Sequence, residues 1–139
     1  MSSENKATVR RFFEEVFNEQ DFAAADEIVA ADYINHNPAP GELPGREGLK
    51  QFVAYLHSAN EGIRFVIEDQ IAEGDKVVTR WTATGTHTGE FAGIPATGKR
   101  YTTKAINIHR VVDGRIQEGW LEWDTLGWMQ QIGVIPSGG

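Results

Sequence analysis

The hydrophobic period of this chain changes from helical to strand-like at Ile63, reverting only in a short last helix, and that change limits the folds open to it. Before Ile63 apolar residues recur at the three-to-four spacing of a helix face; after it they alternate as on a strand. Val9, Phe12, Phe13, Val16 and Phe17 mark an amphipathic first helix from Glu4 to Asn18. Asp21 caps a short second helix carrying Phe22, Ala25, Ile28 and Val29, which ends before Asp32 and Tyr33. The run Asn37-Pro38-Ala39-Pro40-Gly41 is turn chemistry, and Leu49, Phe52, Val53 and Leu56 then restore the helical period in a third helix.

Ile63, Phe65 and Ile67 alternate in a first strand, and Glu73-Gly74-Asp75 turns the chain into a second from Lys76 to His87. A Gly-rich loop from Thr88 to Gly98 precedes a third strand, Arg100 to Val112. Asp113-Gly114 is a two-residue hairpin signal leading to a fourth, Arg115 to Trp123. Asp124 caps a last helix with Leu126, Met129 and Ile132 inward and Gly133 as its stop, and Pro136 to Gly139 form a loose tail. Helices followed by an antiparallel meander predict an α+β fold with the helices over one face of a curved sheet. The 139 residues suit one domain, with its core between residues 5 and 133.

Composition removes several function classes. With no cysteine there is no disulfide scaffold, thiolate zinc site or cysteine nucleophile. The first residues lack the apolar core of a signal peptide and no run reaches the length of a membrane span, so a cytoplasmic protein without a membrane partner is expected. A net charge of −7 with scattered basic residues argues against nucleic acid. Four Trp and seven Phe favour a hydrophobic small molecule as ligand.

Strand parity sorts the candidate residues. Val77, Thr79, Trp81, Ala83 and His87 share one side of the second strand, assigned to the interior. Tyr101, Thr103, Ala105, Asn107 and His109 share a side of the third, with Thr102, Lys104, Ile106, Ile108 and Arg110 opposite. A sheet apolar on both faces predicts a homodimer, with Ile106, Ile108 and Trp120 toward the partner. Trp81, Tyr101 and Trp123 either bound an apolar cavity or are plain core; His109 is a wall residue.

Asp124 is a carboxyl among Trp120, Trp123 and Trp128, suited to acid-base work if its pKa is raised, but its spacing equally makes it a helix cap. Glu118 and Glu122 lie on the outward parity with Trp120. His36, beside Tyr33, can shuttle a proton or bond the loop backbone. His87 serves loop geometry, and His57 adjoins an apolar helical stripe. No pair of histidines stands four apart on a helix, so no metal site is expected. There is no G-x-S-x-G elbow, and the Gly89, Gly93 and Gly98 loop joins two strands with no helix after it.

The strings VRRFFEEVFN, DYINHNP, GTHTGEFAGIPATGKR and HRVVDGRIQEGWLEWDTLGWMQQIG together resemble the SnoaL-like polyketide cyclases of the nuclear transport factor 2-like superfamily, from Asn5 to Gly133. The resemblance implies a conical barrel with a pocket between sheet and helices, no metal and no organic cofactor. It also implies an intramolecular aldol condensation on an aromatic polyketide ester, with a final-strand aspartate as acid and base. That aspartate falls at Leu121, a pocket histidine falls at Asn107, and His36 falls at the pocket mouth. The implied pocket comprises Tyr33, Trp81, Tyr101, His109, Leu121 and Trp123. Two readings follow. In one the chain is a cofactor-free enzyme in which His36, Asn107 or Asp124 stands in for the missing aspartate, Asn107 polarising a carbonyl. In the other it is a non-catalytic binding module whose apolar wall Leu121 extends.

Overall fold

A computed structural model describes residues 2–136. Helix α1 (Ser2–Arg11) runs on into a π-helical segment, Phe12–Asn18. Phe12 and Phe13, at the start of the π segment, both bury their rings. Helix α2 (Phe22–Ile28) begins at Asp21, whose side chain accepts from the Ala24 N–H. Strand β1 (Val29–Asn35), helix α3 (Gly45–Ala59), strands β2 (Asn60–Glu73), β3 (Lys76–His87), β4 (Arg100–Val112) and β5 (Arg115–Trp123), and helix α4 (Thr125–Gln131) complete the order.

The strands form one sheet in the order β1-β5-β4-β3-β2. β2 to β5 make the antiparallel meander that the sequence predicts, with Asp113 and Gly114 both at positive φ in the β4–β5 hairpin, as a type I′ turn requires. Two corrections concern the chain before the meander. The second helix, expected to carry Val29 and to end before Asp32, stops at Ile28, and Val29–Asn35, for which no strand was expected, is an edge strand pairing parallel with β5. Its sequence, VAADYIN, has no clean alternation, and its partner lies more than eighty residues away.

The inner face carries the core. Val77, Thr79, Trp81, Ala83 and His87 of β3 are all buried, as are Tyr101, Thr103, Ala105, His109 and Val111 of β4. Phe12, Phe13, Val9, Val16, Leu49, Val53 and Leu56 pack onto them from the helices. Irregularities in register at Glu61/Arg64, Ile67/Asp69 and Arg110/Val111 bend the strands around this layer.

Where the ladder lapses, amide side chains take its place. Asn18 holds both backbone groups of Phe65 on edge strand β2: its Nδ2 donates to the carbonyl at 2.8 Å and its Oδ1 accepts from the N–H at 2.7 Å. Gln131 of α4 holds both backbone groups of Thr102 at 2.8 Å, beyond the end of β5. Asn37 accepts from the Leu121 N–H at 2.8 Å, where β1 has already ended. Each stands in for a missing strand neighbour; the Phe65 groups are the part-buried ones among them.

Helix α4 departs from the expected orientation. Leu126 is 57% exposed while Trp128 and Ile132 are buried against Tyr101, so the docking surface and not a regular period sets its inner face. Of the expected loose tail, residues 137–139 lie outside the described residues. Among the described residues no helix is long and apolar enough to cross a membrane.

Candidate functional site

The narrow part of the inner wall is filled by side chains. Trp81 packs against Phe13 and Phe65 at ring separations of 5.8 and 5.3 Å, and His109 against Phe12 and Phe13 at 4.9 and 6.0 Å. Tyr101 is buried, with its hydroxyl donating to Asn60 Oδ1 at 2.6 Å and its ring edge-on to Trp128. Trp81, Tyr101 and His109, expected as pocket wall, are therefore placed in the core by aromatic neighbours that occupy the space in front of them.

Beside them the wall is only partly buried, and none of its residues borders either recess described below. Asn107, Leu121 and Trp123 share the inner parity and are only partly buried, and Asn107 and Leu121 stand directly opposite each other across β4 and β5. The Asn107 amide is held at both ends: its Oδ1 accepts from the Trp81 indole Nε1–H at 2.7 Å, and its Nδ2 donates to the Trp120 carbonyl at 2.9 Å. A primary amide nitrogen carries two hydrogens, and the described structure commits one of them. On the inner positions of β3, β4 and β5 there is no carboxylate; His87, Tyr101 and His109 are the titratable side chains there.

The other two sequence candidates lie elsewhere. His36 follows β1 onto the outer face, where its ring stacks on Trp120 at 4.6 Å and 7° between planes. Its Nε2 lies 2.7 Å from Glu118 Oε1, and Arg110 Nε donates to the other Glu118 oxygen. Those two hydrogen bonds, His36 first, hold the Glu118 carboxyl below its usual range. The pocket-mouth position expected for His36 is thus replaced by an outer-face cluster, because β1 carries it to the far side of β5. Asp124 is exposed and accepts from the Gly127 N–H at 2.9 Å, the helix-cap reading of the sequence. Sequence reasoning passed over Arg110 as a partner of Glu118, and over Asn37, an amide two residues past β1; the signal available for Asn37 was its place in the DYINHNP string.

Two open recesses flank the segment from Pro38 to Gly45. The larger, about 420 Å³, lies along edge strand β1 and is bordered by Tyr33, Asn35, Pro38, Glu42, Leu43 and Pro44. Glu42 is fixed there by the Asn35 amide at 2.9 Å and the Ala39 N–H at 3.1 Å. The smaller, about 310 Å³, lies between the same segment, α3 and the β3–β4 loop, with Phe52 and Tyr55 on its floor. Tyr33 is the sequence-predicted pocket residue that borders one of them.

Gly119 shows how tightly Tyr33 and His109 are set. A Cβ at this position would stand 2.8 Å from His109 Cδ2 and 3.1 Å from both His109 Nε2 and the Tyr33 hydroxyl oxygen. Burial raises the Tyr33 phenol, with the Glu42 charge adding to it. Burial also pushes the His109 imidazole down to about 4 from 6.5, and its Nδ1 has no partner among the described residues.

His109 makes stability depend on pH. Its folded pKa is depressed, so the unfolded chain takes up a proton first as pH falls below 6.5, and stability is lost until the folded group protonates near 4. Between pH 7 and pH 5 the free energy of unfolding should drop by roughly 2 kcal/mol. Urea titrations of the wild type and of His109→Gln measure this: the wild type loses stability over that interval and the variant stays nearly level. A wild type equally stable at both pH values contradicts the burial of a neutral imidazole.

Comparison with known proteins agrees with this architecture. The family model described as SnoaL-like polyketide cyclase matches residues 7–132. Aklanonic acid methyl ester cyclase DnrD of Streptomyces peucetius is 33% identical over 114 residues, covering 77% of this chain and 76% of the relative. The nogalonic acid methyl ester cyclase of Streptomyces nogalater is 29% identical over 113 residues, covering 78% and 82%. The solved structure of TsrD from Streptomyces laurentii superposes with a TM-score of 0.87 at 30% identity, covering 96% of this chain and 97% of that one. By the span of the family match, the identity to the cyclases and the shared fold, this chain belongs to the SnoaL-like polyketide cyclase family.

Proposed function

We propose that this protein takes a hydrophobic polyketide-like ester against the accessible inner wall and promotes an aldol-type ring closure by hydrogen bonding, with Asn107 as the donor. The observation that carries this reading is the Asn107 amide, whose oxygen is already taken by Trp81 and whose nitrogen keeps one uncommitted hydrogen. A group so placed gives a hydrogen bond to a carbonyl and a stronger one to the enolate formed from it, which is the differential binding that lowers a barrier. Leu121 and Trp123 beside it supply an apolar wall for a ring system.

In such a closure a base removes the proton from a carbon next to a carbonyl. The enolate carbon then bonds to a second carbonyl carbon of the same molecule, and the resulting alkoxide takes a proton, so that the product is an isomer of the substrate. With Leu121 where the family resemblance puts a carboxylate, the proton acceptor is solvent water or hydroxide, and the chain contributes the oxygen-stabilising half of the chemistry. Leu121 also favours the second reading, in which the same wall binds the compound without turnover.

Aklanonic acid methyl ester, named for the relative in Streptomyces peucetius, is the probe that separates the two. Slow conversion is expected, falling roughly 10² to 10³-fold in Asn107→Leu. Leu121→Asp should raise the rate by about 10² to 10⁴-fold, the usual contribution of a placed acid or base. Binding without conversion in the wild type and in Leu121→Asp would establish the binding module instead.

We further propose that two copies pair through the outer face. Ile71, Val78, Ile108 and Trp120 are cross-strand neighbours in one continuous row over β2 to β5, and Ile71 and Ile108 are exposed, as is Ile106 beside them. Light scattering should give the mass of a dimer, and Ile108→Lys should give that of a monomer. A monomeric wild type at high concentration overturns the pairing.

A further inference from the structure

Trp81 is buried among Phe13 and Phe65, and ring packing alone would account for a large aromatic residue there. It does not account for the direction of its one polar atom. The indole N–H points along the inner wall to Asn107 Oδ1, a cross-strand contact from β3 to β4, and the same amide reaches on to the Trp120 carbonyl of β5. One side chain on the central strand is therefore tied to both neighbouring strands.

The two partners differ in kind. An indole N–H is a donor only, and a backbone carbonyl is an acceptor only. The two ends of a primary amide have nearly the same size, so an unrestrained asparagine can present either its oxygen or its nitrogen to a ligand. Between these partners it cannot: turning the amide over would set an N–H against the Trp81 N–H and an oxygen against the Trp120 oxygen, losing both bonds. The Trp120 partner is main chain and present whatever residue stands at 120. Trp81 is the side chain on which the arrangement depends.

We infer that Trp81 is a positioning residue: its indole N–H fixes the Asn107 amide so that the uncommitted N–H, and never the amide oxygen, meets a ligand carbonyl on the inner wall. This rests on the reading of Asn107 as the hydrogen-bond donor. Without the lock a fraction of molecules would present an oxygen to a carbonyl or enolate oxygen, and repulsion would replace the bond that stabilises the enolate. The effect falls on the transition state, where charge on that oxygen is greatest, and only weakly on ground-state binding.

The test uses Trp81→Phe, which keeps a ring in the core and removes the N–H, with aklanonic acid methyl ester as probe. The expected result is a drop in kcat of roughly 10-fold with KM within about a factor of two. If the wild type binds the ester without converting it, the same comparison is read on Kd, with a loss of about twofold expected. The decisive arm is Trp81→Phe in the Asn107→Leu background, where the indole has no amide to hold and no further loss is expected. A core-packing role alone would lower the rate by the same factor in both backgrounds, or not at all, and either result overturns the proposal. If Asn107→Leu itself has no effect, the donor reading fails first, and the lock falls with it for that separate reason. Should Trp81→Phe not fold, placing benzothienylalanine at position 81 keeps the bicyclic shape and removes only the N–H; unchanged kcat, or unchanged Kd for a non-converting protein, in that variant also overturns the inference.

Discussion

A curved sheet must still satisfy its backbone, and this constraint organises the rest of the molecule. The ladder shifts register at four places and its strands have unequal reach, so some N–H and C=O groups lack a strand neighbour. A buried backbone group without a partner costs about 1–3 kcal/mol, a cost that bears on Phe65, whose bonds to Asn18 are part-buried, while the groups of Leu121 and Thr102 are exposed to water. Asn18, Asn37 and Gln131 fill these gaps from the end of the first helix, the β1–α3 segment and α4. Each also locates the element that carries it, so the same bonds that complete the sheet dock the helices. Asn107 does a related task within the sheet, joining β3 to β5 across β4.

The chemistry available follows from which inner positions are left accessible. Phe12 and Phe13 cover His109, and α4 covers Tyr101 and packs Trp128 on Trp123 at 5.6 Å, so Asn107, Leu121 and part of Trp123 remain. That set has a hydrogen-bond donor and apolar surface but no carboxylate. An aspartate opposite the amide would supply a base next to the oxygen-stabilising group; a leucine there separates the two functions. The chain thus keeps the family fold, and under the proposed function Asn107 supplies one half of the chemistry the resemblance implies.

The meander was legible because its information is local. Parity along Lys76–His87 and Arg100–Val112, and the Asp113-Gly114 turn, define strands whose partners are their sequence neighbours. Asp21 and Asp124 as caps are local signals too. Strand β1 was not legible: VAADYIN alternates poorly, and what makes it a strand is a parallel partner at the other end of the chain. The position of His36 depended on that strand, so its outer-face stack on Trp120 could not be read from spacing. Burial by parity was read correctly for Trp81 and Tyr101, but parity says only that a side chain points inward. Whether it meets a ligand or Phe13 and Trp128 is decided by packing across the core.

The central claim is that the free N–H of Asn107 is the group that meets the ligand. The most direct measurement follows the side-chain amide of Asn107 in a proton–nitrogen correlation spectrum as aklanonic acid methyl ester is added. One of its two Nδ2 protons should move as it enters a new hydrogen bond, while the other, bonded to the Trp120 carbonyl, and the Trp81 indole proton stay in place. Shifts confined to the recess around Tyr33, Asn35 and Glu42, with both Asn107 protons unmoved, would contradict it.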